Sequence, residues 1–171
     1  MHFFRKATLE DLDEVWSILE SAKELLKSLN IDQWQDGYPN KKLIKTDIKK
    51  DRSYLMICEG EIAAVGVILV GVDPAYTAID GQWMGRENEQ NYVSIHRTAI
   101  SPRFQGKKLS SIMMTGLIEI CSEMGFKDIR ADTHKDNKTM QHVLAKSGFE
   151  YRGEIYQGNE SWRQAYQLLL S

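Results

Sequence analysis

The stretch from Val93 to Ser111, VSIHRTAISPRFQGKKLSS, constrains the fold more than any other part of this chain. Its first half is β-prone, and Pro102 cannot donate to a β-ladder, which predicts a strand that ends near Ser101. A short loop containing Gly106 follows, and an apolar-periodic helix begins behind it. Because the first N–H groups of a helix have no internal partner, this order of strand, loop and helix predicts an anion-binding turn.

Hydrophobic periodicity and turn residues divide the rest of the chain into helices and strands. Helices are predicted over 9–29, 41–50, 109–124 and from 136 to Gly148; strands are predicted over 2–7, 54–59, 62–72, 93–101, 126–132, 149–156 and 162–170. Residues 73–91 contain few apolar side chains, which predicts a long loop. The strand, helix and strand over 93–132 predict a parallel pair joined by a crossover. The expected fold is one α/β domain over 1–171, with a mixed sheet flanked by helices on both faces.

Composition argues against several classes of protein. The formal net charge of -2 and the pI of about 6.1 disfavour a general nucleic-acid binder, which needs a basic face. Cys58 and Cys121 lack metal-ligand spacing, so no metal site is predicted and both thiols are expected to be buried. The first residues lack a signal-peptide pattern, and no segment approaches the roughly 18 apolar residues of a membrane span. We therefore expect a cytoplasmic protein without nucleic-acid or membrane partners.

Two segments resemble the signature of the GNAT acyltransferase superfamily. The family's strand end and its Arg/Gln-x-x-Gly-x-Gly/Ala turn correspond to TAISP, residues 98–102, and RFQGKK, residues 103–108. Its Asn-x-x-Ala and Lys-x-Gly-Phe elements are matched at Asn137, Lys146, Gly148 and Phe149. Lys108 departs from the pattern, because the family usually has Gly or Ala there. The predicted order of strands and helices is also similar to the GNAT order over nearly the whole chain.

The resemblance implies acetyl-CoA as co-substrate and transfer of its acetyl group to a primary amine of a small molecule, a peptide or a protein. In this family the turn binds the cofactor pyrophosphate through backbone N–H groups, and the strand end pairs with the pantetheine arm. The N–H that corresponds to Ile100 stabilises the thioester oxygen, and Asn137 lies near the cofactor thiol. The cofactor-binding residues implied are Thr98, Ala99, Ile100, Arg103, Gln105, Gly106, Lys107, Lys108, Leu109, Ser110 and Asn137. Dimers are common in the family, so a homodimer is compatible with the resemblance.

A catalytic base is needed, because the amine must lose a proton before or during its attack. His96 is the leading candidate, since the ordinary pKa of histidine is about 6.5. The resemblance adds that some GNAT members acting on small amines carry a catalytic His at the matching position. A histidine hydrogen-bonded in the core is the structural alternative. Asp132 and His134, near the end of the next predicted strand, are further candidates, although both residue types are also typical of turns and helix caps.

The leaving thiolate must be protonated, and many members of the resembled family use a Tyr four residues before the Gly-Phe pair. Leu144 occupies that position here, so this proton donor is missing. Tyr156 or an ordered water is the candidate replacement, and an ordinary core or surface tyrosine is the structural alternative for Tyr156.

Aromatic residues in two predicted loops are candidate contacts of the acceptor. Both loops, over 30–40 and 73–91, contain Gly and Pro together with aromatic side chains. Aromatic side chains line many ligand pockets, and a loop packed on its own aromatics explains them equally well. The candidate substrate-binding residues are Trp34, Gln35, Tyr38, Tyr76 and Trp83.

Functions of different classes remain open at this point. The leading hypothesis is an acetyl-CoA-dependent N-acetyltransferase. Leu144 and Lys108 motivate the alternative, a non-catalytic acyl-CoA-binding sensor that has lost its chemistry. A nucleotide-phosphate enzyme is disfavoured, because the chain lacks the Gly-x-x-x-x-Gly-Lys-Ser/Thr pattern of a P-loop.

Overall fold

Helices and strands follow one another in the predicted order, with one additional short strand. The computed structural model describes residues 1–85, 91–106, 108–158 and 161–171. Its strands are β1 (His2–Lys6), β2 (Ser53–Cys58), β3 (Glu61–Val70), β4 (Asp80–Gly81), β5 (Val93–Ile100), β6 (Asp128–Thr133), β7 (Glu150–Tyr156) and β8 (Trp162–Leu169). Its helices are α1 (Leu12–Ser28), α2 (Lys41–Lys49), α3 (Leu109–Glu123) and α4 (Lys138–Lys146), and 3-10 turns cover Leu9–Asp11, Pro74–Tyr76 and Pro102–Phe104.

The fold is mixed α/β, with an eight-stranded mixed sheet flanked by helices, as the sequence predicts. β5 and β6 run parallel, which confirms the predicted crossover, and the neighbouring pair β6–β8 is antiparallel. The chain divides into two compact units. The first unit comprises Met1–Ile68 and Arg97–Met113, and the second comprises Leu69–His96 and Met114–Ser171. A single domain over 1–171 stays a prediction.

In the first unit, β2 lies between β1 and β3 in an antiparallel arrangement. The apolar faces of α1 and α2 pack on these strands: Val15 and Leu19 of α1 and Ile44 and Ile48 of α2 share one buried cluster with Leu55 of β2. Burial of such apolar faces is the main stabilising contribution to a helix in a protein. The five lysines of the segment over 41–50 are exposed, as an amphipathic helix requires.

Capping residues start the helices where the sequence predicts. The Thr8 N–H donates to Asp11 Oδ2 over 2.8 Å, and the two residues form a capping box in front of α1. At α2 the N-cap side chain is the acceptor instead: Asn40 Oδ1 accepts from the Leu43 N–H at 2.8 Å. Among the described residues, no helix combines the length and the apolar character needed to cross a bilayer.

The predicted long loop over 73–91 is wrong in part, because it contains β4. Asp80 and Gly81 pair with Glu154 and Gly153 of β7. A Cβ added at Gly81 would lie 2.2 Å from the Arg152 carbonyl oxygen. The backbones of β4 and β7 therefore approach more closely than a side chain at this position would allow. The strand escapes prediction because glycine backbone contact, not alternating apolar side chains, forms the pair.

In the second unit, the strand order is the first half of β5, then β6, β8, β7 and β4. Tyr76, Tyr92, Ile155 and Ala165 form a buried cluster there. α4 begins at the predicted cap, where Asn137 Oδ1 accepts from the Met140 N–H at 3.1 Å. These contacts support the candidate catalytic residues described below.

Candidate active site

The second half of β5 presents one backbone edge away from β3. The Ser101 N–H donates to the Ala63 carbonyl over 2.8 Å. Because backbone groups of successive strand residues point to opposite sides, those of Thr98 and Ile100 point away from β3. The Ile100 carbonyl accepts the side-chain N–H of Gln105 at 3.1 Å. This is the edge that the resemblance assigns to the pantetheine arm, and that assignment stays a prediction.

Side chains hold the turn between β5 and α3, and the space beside Gly106 is open. Phe104 is buried, and Arg103 forms an ion pair with Glu61. Gly106 has a φ of +78°, and a Cβ added there would meet nothing within 4 Å. Lys108 has a φ of +57° and is exposed, which agrees with the prediction that its side chain can point to solvent. The left-handed backbone explains why glycine suits the position that Lys108 occupies here.

The other predicted residues of this turn have different environments. Leu109 begins α3, and both Leu109 and Ser110 are half-buried. Ala99 belongs to the buried cluster of the first unit, so only its backbone is available to a ligand. Lys107 lies outside the described residues.

A groove of about 700 Å³ runs along α1 beside this turn, within the first unit. It is lined by Ile100, Pro102 and Gln105 together with the polar face of α1: Ser17, Glu20, Ser21, Glu24, Leu25 and Ser28. Sequence reasoning did not single out the α1 residues. The spacing of three serines at 17, 21 and 28 along one helix face was the available signal.

A buried ion pair fixes the loop over 30–40 of the first unit. Arg97 donates through Nε and Nη2 to the two carboxylate oxygens of Asp47, at 2.8 and 2.9 Å. Asp47 is completely buried, and Arg97 has a φ of +49° within β5. Arg97 Nη1 donates to the hydroxyl oxygen of Tyr38 at 2.7 Å. Asp47 was missed because the pattern of α2 indicates an amphipathic helix, with apolar residues on its buried side and lysines on its exposed side.

The remaining acceptor candidates of this loop pack within the first unit. Trp34 is half-buried against the apolar cluster. The side-chain amide of Gln35 donates to the carbonyls of Lys23 and Gln33, each at 3.0 Å. These contacts agree with the structural alternative for both residues, and their contact with an acceptor stays a prediction.

His96 lies in the first half of β5, in the second unit, with a side chain that is 11% exposed. Its Nε2 lies 2.9 Å from Ser94 Oγ and 3.1 Å from Asp73 Oδ2. The ring of Tyr76 stacks on the imidazole with a centroid distance of 5.9 Å and an interplanar angle of 27°. Polar contacts therefore hold the Nε2 edge of the imidazole, and the Tyr76 ring covers one of its faces.

Asp132 lies on β6 and is held by two side chains. The Tyr76 hydroxyl donates to its Oδ2 at 2.7 Å, and Gln157 Nε2 donates to its Oδ1 at 3.2 Å. Burial raises the pKa of Asp132, and the charge of His96 acts in the opposite direction. Burial and the neighbouring Asp132 hold the pKa of Tyr76 well above its ordinary value. Tyr76 is thus a protonated donor, and its ring is almost fully buried.

Trp83 and Tyr92 sandwich one cation beside this cluster. The Arg130 guanidinium lies 3.8 Å from the Tyr92 ring centroid and 4.3 Å from that of Trp83. Trp83 Nε1 also donates to the Tyr76 carbonyl at 2.8 Å. The predicted residues His96, Asp132, Tyr76 and Trp83 are therefore brought together. Asp73, Ser94, Gln157 and Arg130 were missed, because no spacing rule connects them.

His134, Tyr156 and Asn137 also belong to the second unit. His134 Nδ1 accepts the Asp136 N–H at 3.0 Å, a turn contact that occupies one of its two ring nitrogens. Tyr156 is 45% exposed and packs on Trp162 with a centroid distance of 5.2 Å. Within the described part of the chain, no group of three or more His, Cys, Asp or Glu side chains is placed to hold a metal ion.

Together, the mixed sheet and the strand, turn and helix over 93–123 define an acyltransferase fold of the GNAT type. The chain matches the Acetyltransferase (GNAT) family over residues 13–149. It therefore belongs to the GNAT acetyltransferase family, as the resemblance implied, and acetyl transfer to nitrogen is the general kind of reaction of this family.

Individual proteins agree with this assignment. The crystal structure of a GNAT-family acetyltransferase from Streptococcus agalactiae 2603 superimposes with a TM-score of 0.88 at 34% identity, covering 99% of this chain and 96% of that one. YesJ, an uncharacterized N-acetyltransferase of Bacillus subtilis (strain 168), is 24% identical over 154 residues, which are 86% of this chain and 81% of YesJ. The yncA protein of Salmonella typhimurium, solved with acetyl-CoA, shares the fold with a TM-score of 0.68 at 15% identity, covering 99% of this chain and 94% of yncA.

Proposed function

We propose that this protein transfers the acetyl group of acetyl-CoA to a primary amine of a small molecule, a peptide or a protein. Membership of the GNAT family supports acetyl transfer. The yncA structure with acetyl-CoA supports the choice of co-substrate. When bound, acetyl-CoA supplies a thioester carbonyl that is activated towards attack by an amine.

Features of the first unit support acetyl-CoA binding. The backbone at Gly106 is open, and the first N–H groups of α3 follow from Leu109. Such N–H groups favour a phosphate, because they lie at the positive end of the helix dipole. The groove of about 700 Å³ beside Ile100 is in the size range of ligand pockets. The backbone over 105–110 would hold the pyrophosphate, and the edge over 98–100 the pantetheine arm.

His96 is the proposed general base, and its contact with Asp73 is the observation that carries this proposal. A carboxylate beside an imidazole stabilises the protonated ring, which favours proton uptake from an amine. Asp132 adds a second carboxylate to the same cluster. His134 is a weaker candidate, because its Nδ1 already accepts a backbone N–H.

The donor that returns a proton to the thiolate differs from the usual one. Leu144 is 1% exposed and lies in the apolar face of α4, so it serves packing. Tyr156, with a side chain that reaches solvent, is the proposed donor. Leu144 is also the observation that favours the second candidate function, an acyl-CoA-binding sensor without catalysis.

The test begins with calorimetric titration of the full chain with acetyl-CoA, with CoA and ATP as controls. Thiol release is then followed with a panel of primary amines for the wild type, His96→Ala and His142→Ala. His142 is an exposed histidine on α4 and provides the matched control. We expect His96→Ala to lower kcat about 10²- to 10⁴-fold, the usual contribution of a general base, with unchanged acetyl-CoA affinity. His142→Ala should behave as the wild type.

Each alternative outcome has one meaning. Absence of acetyl-CoA binding would contradict both candidate functions. Tight binding without amine-dependent thiol release would favour the sensor. Release that is equally fast in His96→Ala would preserve the acetyltransferase and reject His96 as its base.

A further inference from the structure

The contact between Asp73 and His96 bears on which ring nitrogen of the histidine can take up a proton. Asp73 Oδ2 lies 3.1 Å from His96 Nε2, and the two side chains are 17% and 11% exposed. The other carboxylate oxygen, Oδ1, accepts the Ala75 N–H at 3.0 Å. One carboxylate therefore caps a turn and contacts the candidate base at the same time.

We propose that Asp73 is a positioning residue, which holds the proton of neutral His96 on Nε2 and leaves Nδ1 to accept the proton of the amine. This inference rests on the proposed function, because it assigns the working nitrogen of the proposed base. In the transfer step, the N–C bond forms, the C–S bond breaks, and the bonding electron pair leaves with sulfur. The proton passes from the amine nitrogen to Nδ1.

Hydrogen-bond chemistry supports the choice of nitrogen. An ionised carboxylate only accepts hydrogen bonds, so the ring nitrogen that faces it has to be the donor. Within the described part of the chain, both polar contacts of the imidazole, with Asp73 and with Ser94, are made through Nε2. The lone pair of neutral His96 therefore lies on Nδ1.

Asp73 is itself held firmly. Its N–H donates to the Tyr92 hydroxyl oxygen at 2.8 Å, and its carboxylate caps the 3-10 turn that Pro74 begins. The same turn ends at Tyr76, which stacks on the face of the imidazole. The turn thus contacts His96 twice, at the ring edge through Asp73 and at the ring face through Tyr76.

Two carboxylate groups lie around His96. Among the described residues, the titratable groups that face it are the carboxylates of Asp73 and Asp132 and the phenol of Tyr76. The positive charge of Arg163, on β8, lowers the pKa of Asp132. Asp73 is the carboxylate in direct contact with Nε2, so it compensates the positive charge that the ring acquires with the proton.

The test combines kinetics with nitrogen NMR of the full chain. Asp73→Asn keeps an oxygen for the Ala75 N–H but presents an N–H₂ donor to Nε2, which should move the ring proton to Nδ1. Asp73→Ser keeps a capping oxygen without a carboxylate. Asp136→Asn is the matched control, because the carboxylate of Asp136 lies beside the other candidate histidine, 3.8 Å from His134 Nδ1. Thermal unfolding establishes that each variant is folded.

We expect 15N chemical shifts to report Nε2–H for neutral His96 in the wild type and Nδ1–H in Asp73→Asn. Asp73→Ser should lose the carboxylate contact with Nε2 as well. Both variants should lower kcat by at least about 10²-fold, with the KM for acetyl-CoA unchanged. Asp136→Asn should leave all of these values unchanged.

A wild-type tautomer in a folded Asp73→Asn would overturn the inference. A wild-type kcat in a variant whose tautomer has changed would overturn it as well. The NMR measurement needs no turnover, so it separates this inference from the proposed function: an active His96→Ala rejects the base, whatever the tautomer is.

Discussion

His96 and Arg97 are consecutive residues of β5, and each contacts an aspartate within its own unit, yet the two pairs differ in kind. Arg97 makes two short hydrogen bonds to Asp47, which is completely buried. His96 makes one contact of 3.1 Å with Asp73, which is 17% exposed. A guanidinium does not release its proton in a protein, whereas an imidazole exchanges one near neutral pH. Both pairs contain an aspartate, so it is the chemistry of the basic group, and not the presence of an ion pair, that distinguishes structural support from a candidate catalytic group.

The two pairs should differ most in their contribution to the free energy of unfolding. Asp47→Ala leaves the Arg97 guanidinium buried without its carboxylate, and removal of one partner from a buried pair typically costs about 3–5 kcal/mol. We expect the free energy of unfolding, measured in urea, to fall by that amount. His96→Ala should cost much less, because its partner Asp73 keeps contact with solvent and with the Ala75 N–H.

Asp13→Ala provides the control for this prediction. Asp13 forms an ion pair of 2.6 Å with Lys41 in the same unit, but both side chains are exposed. Exposed pairs contribute little to stability, so the unfolding midpoint should remain that of the wild type. Equal losses in Asp47→Ala and Asp13→Ala would break the distinction between a buried structural pair and an exposed one.

An intermediate effect is expected from the pH dependence of two carboxylates. Burial raises the pKa of Asp132 in the second unit, whereas the hydrogen bond from Arg5 lowers the pKa of Asp11 in the first. Folded Asp132 binds its proton more tightly than the unfolded chain does, so its contribution to stability falls as the pH rises from about 4 through its folded pKa. Asp11 acts with the opposite sign and loses its stabilising contribution as the pH falls through its own lowered pKa.

Asp132→Asn removes the first of these contributions. As the pH rises from about 4 to 7, the free energy of unfolding of the variant should increase relative to that of the wild type. The expected increase is about 1.4 kcal/mol for each pH unit by which burial has raised the pKa of Asp132. Urea unfolding over this range measures the difference. Asp11→Asn is the control: because the pKa of Asp11 is lowered, it titrates below this range, so the difference between this variant and the wild type should stay constant from about pH 4 to pH 7. Parallel curves for Asp132→Asn and the wild type would show that Asp132 is ordinarily solvated.

The smallest effect concerns Tyr38, which accepts a hydrogen bond from Arg97 and is 37% exposed. Water can replace its hydroxyl at such a position, so Tyr38→Phe should cost less than about 1 kcal/mol in unfolding free energy. If Tyr38 contacts the acceptor as predicted, the KM for the amine will rise while the KM for acetyl-CoA stays constant. A KM for the amine identical to that of the wild type would assign Tyr38 to loop packing alone.

Local patterns predicted most of the fold. The helices and long strands lie within about three residues of their predicted bounds, because apolar periodicity, capping residues such as Thr8 and Asn137, and helix-ending glycines act over a few residues of chain. β4 was missed because its pairing depends on glycine backbones from two distant segments. The φ of +49° at Arg97 was also missed, because a β-branched and apolar neighbourhood gives no sign of a left-handed residue.

The sequence singled out His96, Asp132, Tyr76 and Trp83 one by one, but it did not predict that they lie together. The turn around Gly106 and the residue His96 lie in one stretch, so the motif resemblance located both. The partners of His96 lie far from it in the chain: Asp73 precedes it by a long segment, and Asp132 follows on another strand. No spacing rule connects such residues, and only the fold brings them together.

The bond from the Gln105 amide to the Ile100 carbonyl has a kinetic consequence. A ligand that pairs with this edge of β5 meets an acceptor that the protein already occupies with one of its own side chains. Its arrival exchanges one hydrogen bond for another, so the gain in enthalpy at this carbonyl is close to zero. The exchange instead makes the rotation of one side chain part of both association and release, and a ligand can leave without exposing an unsatisfied carbonyl.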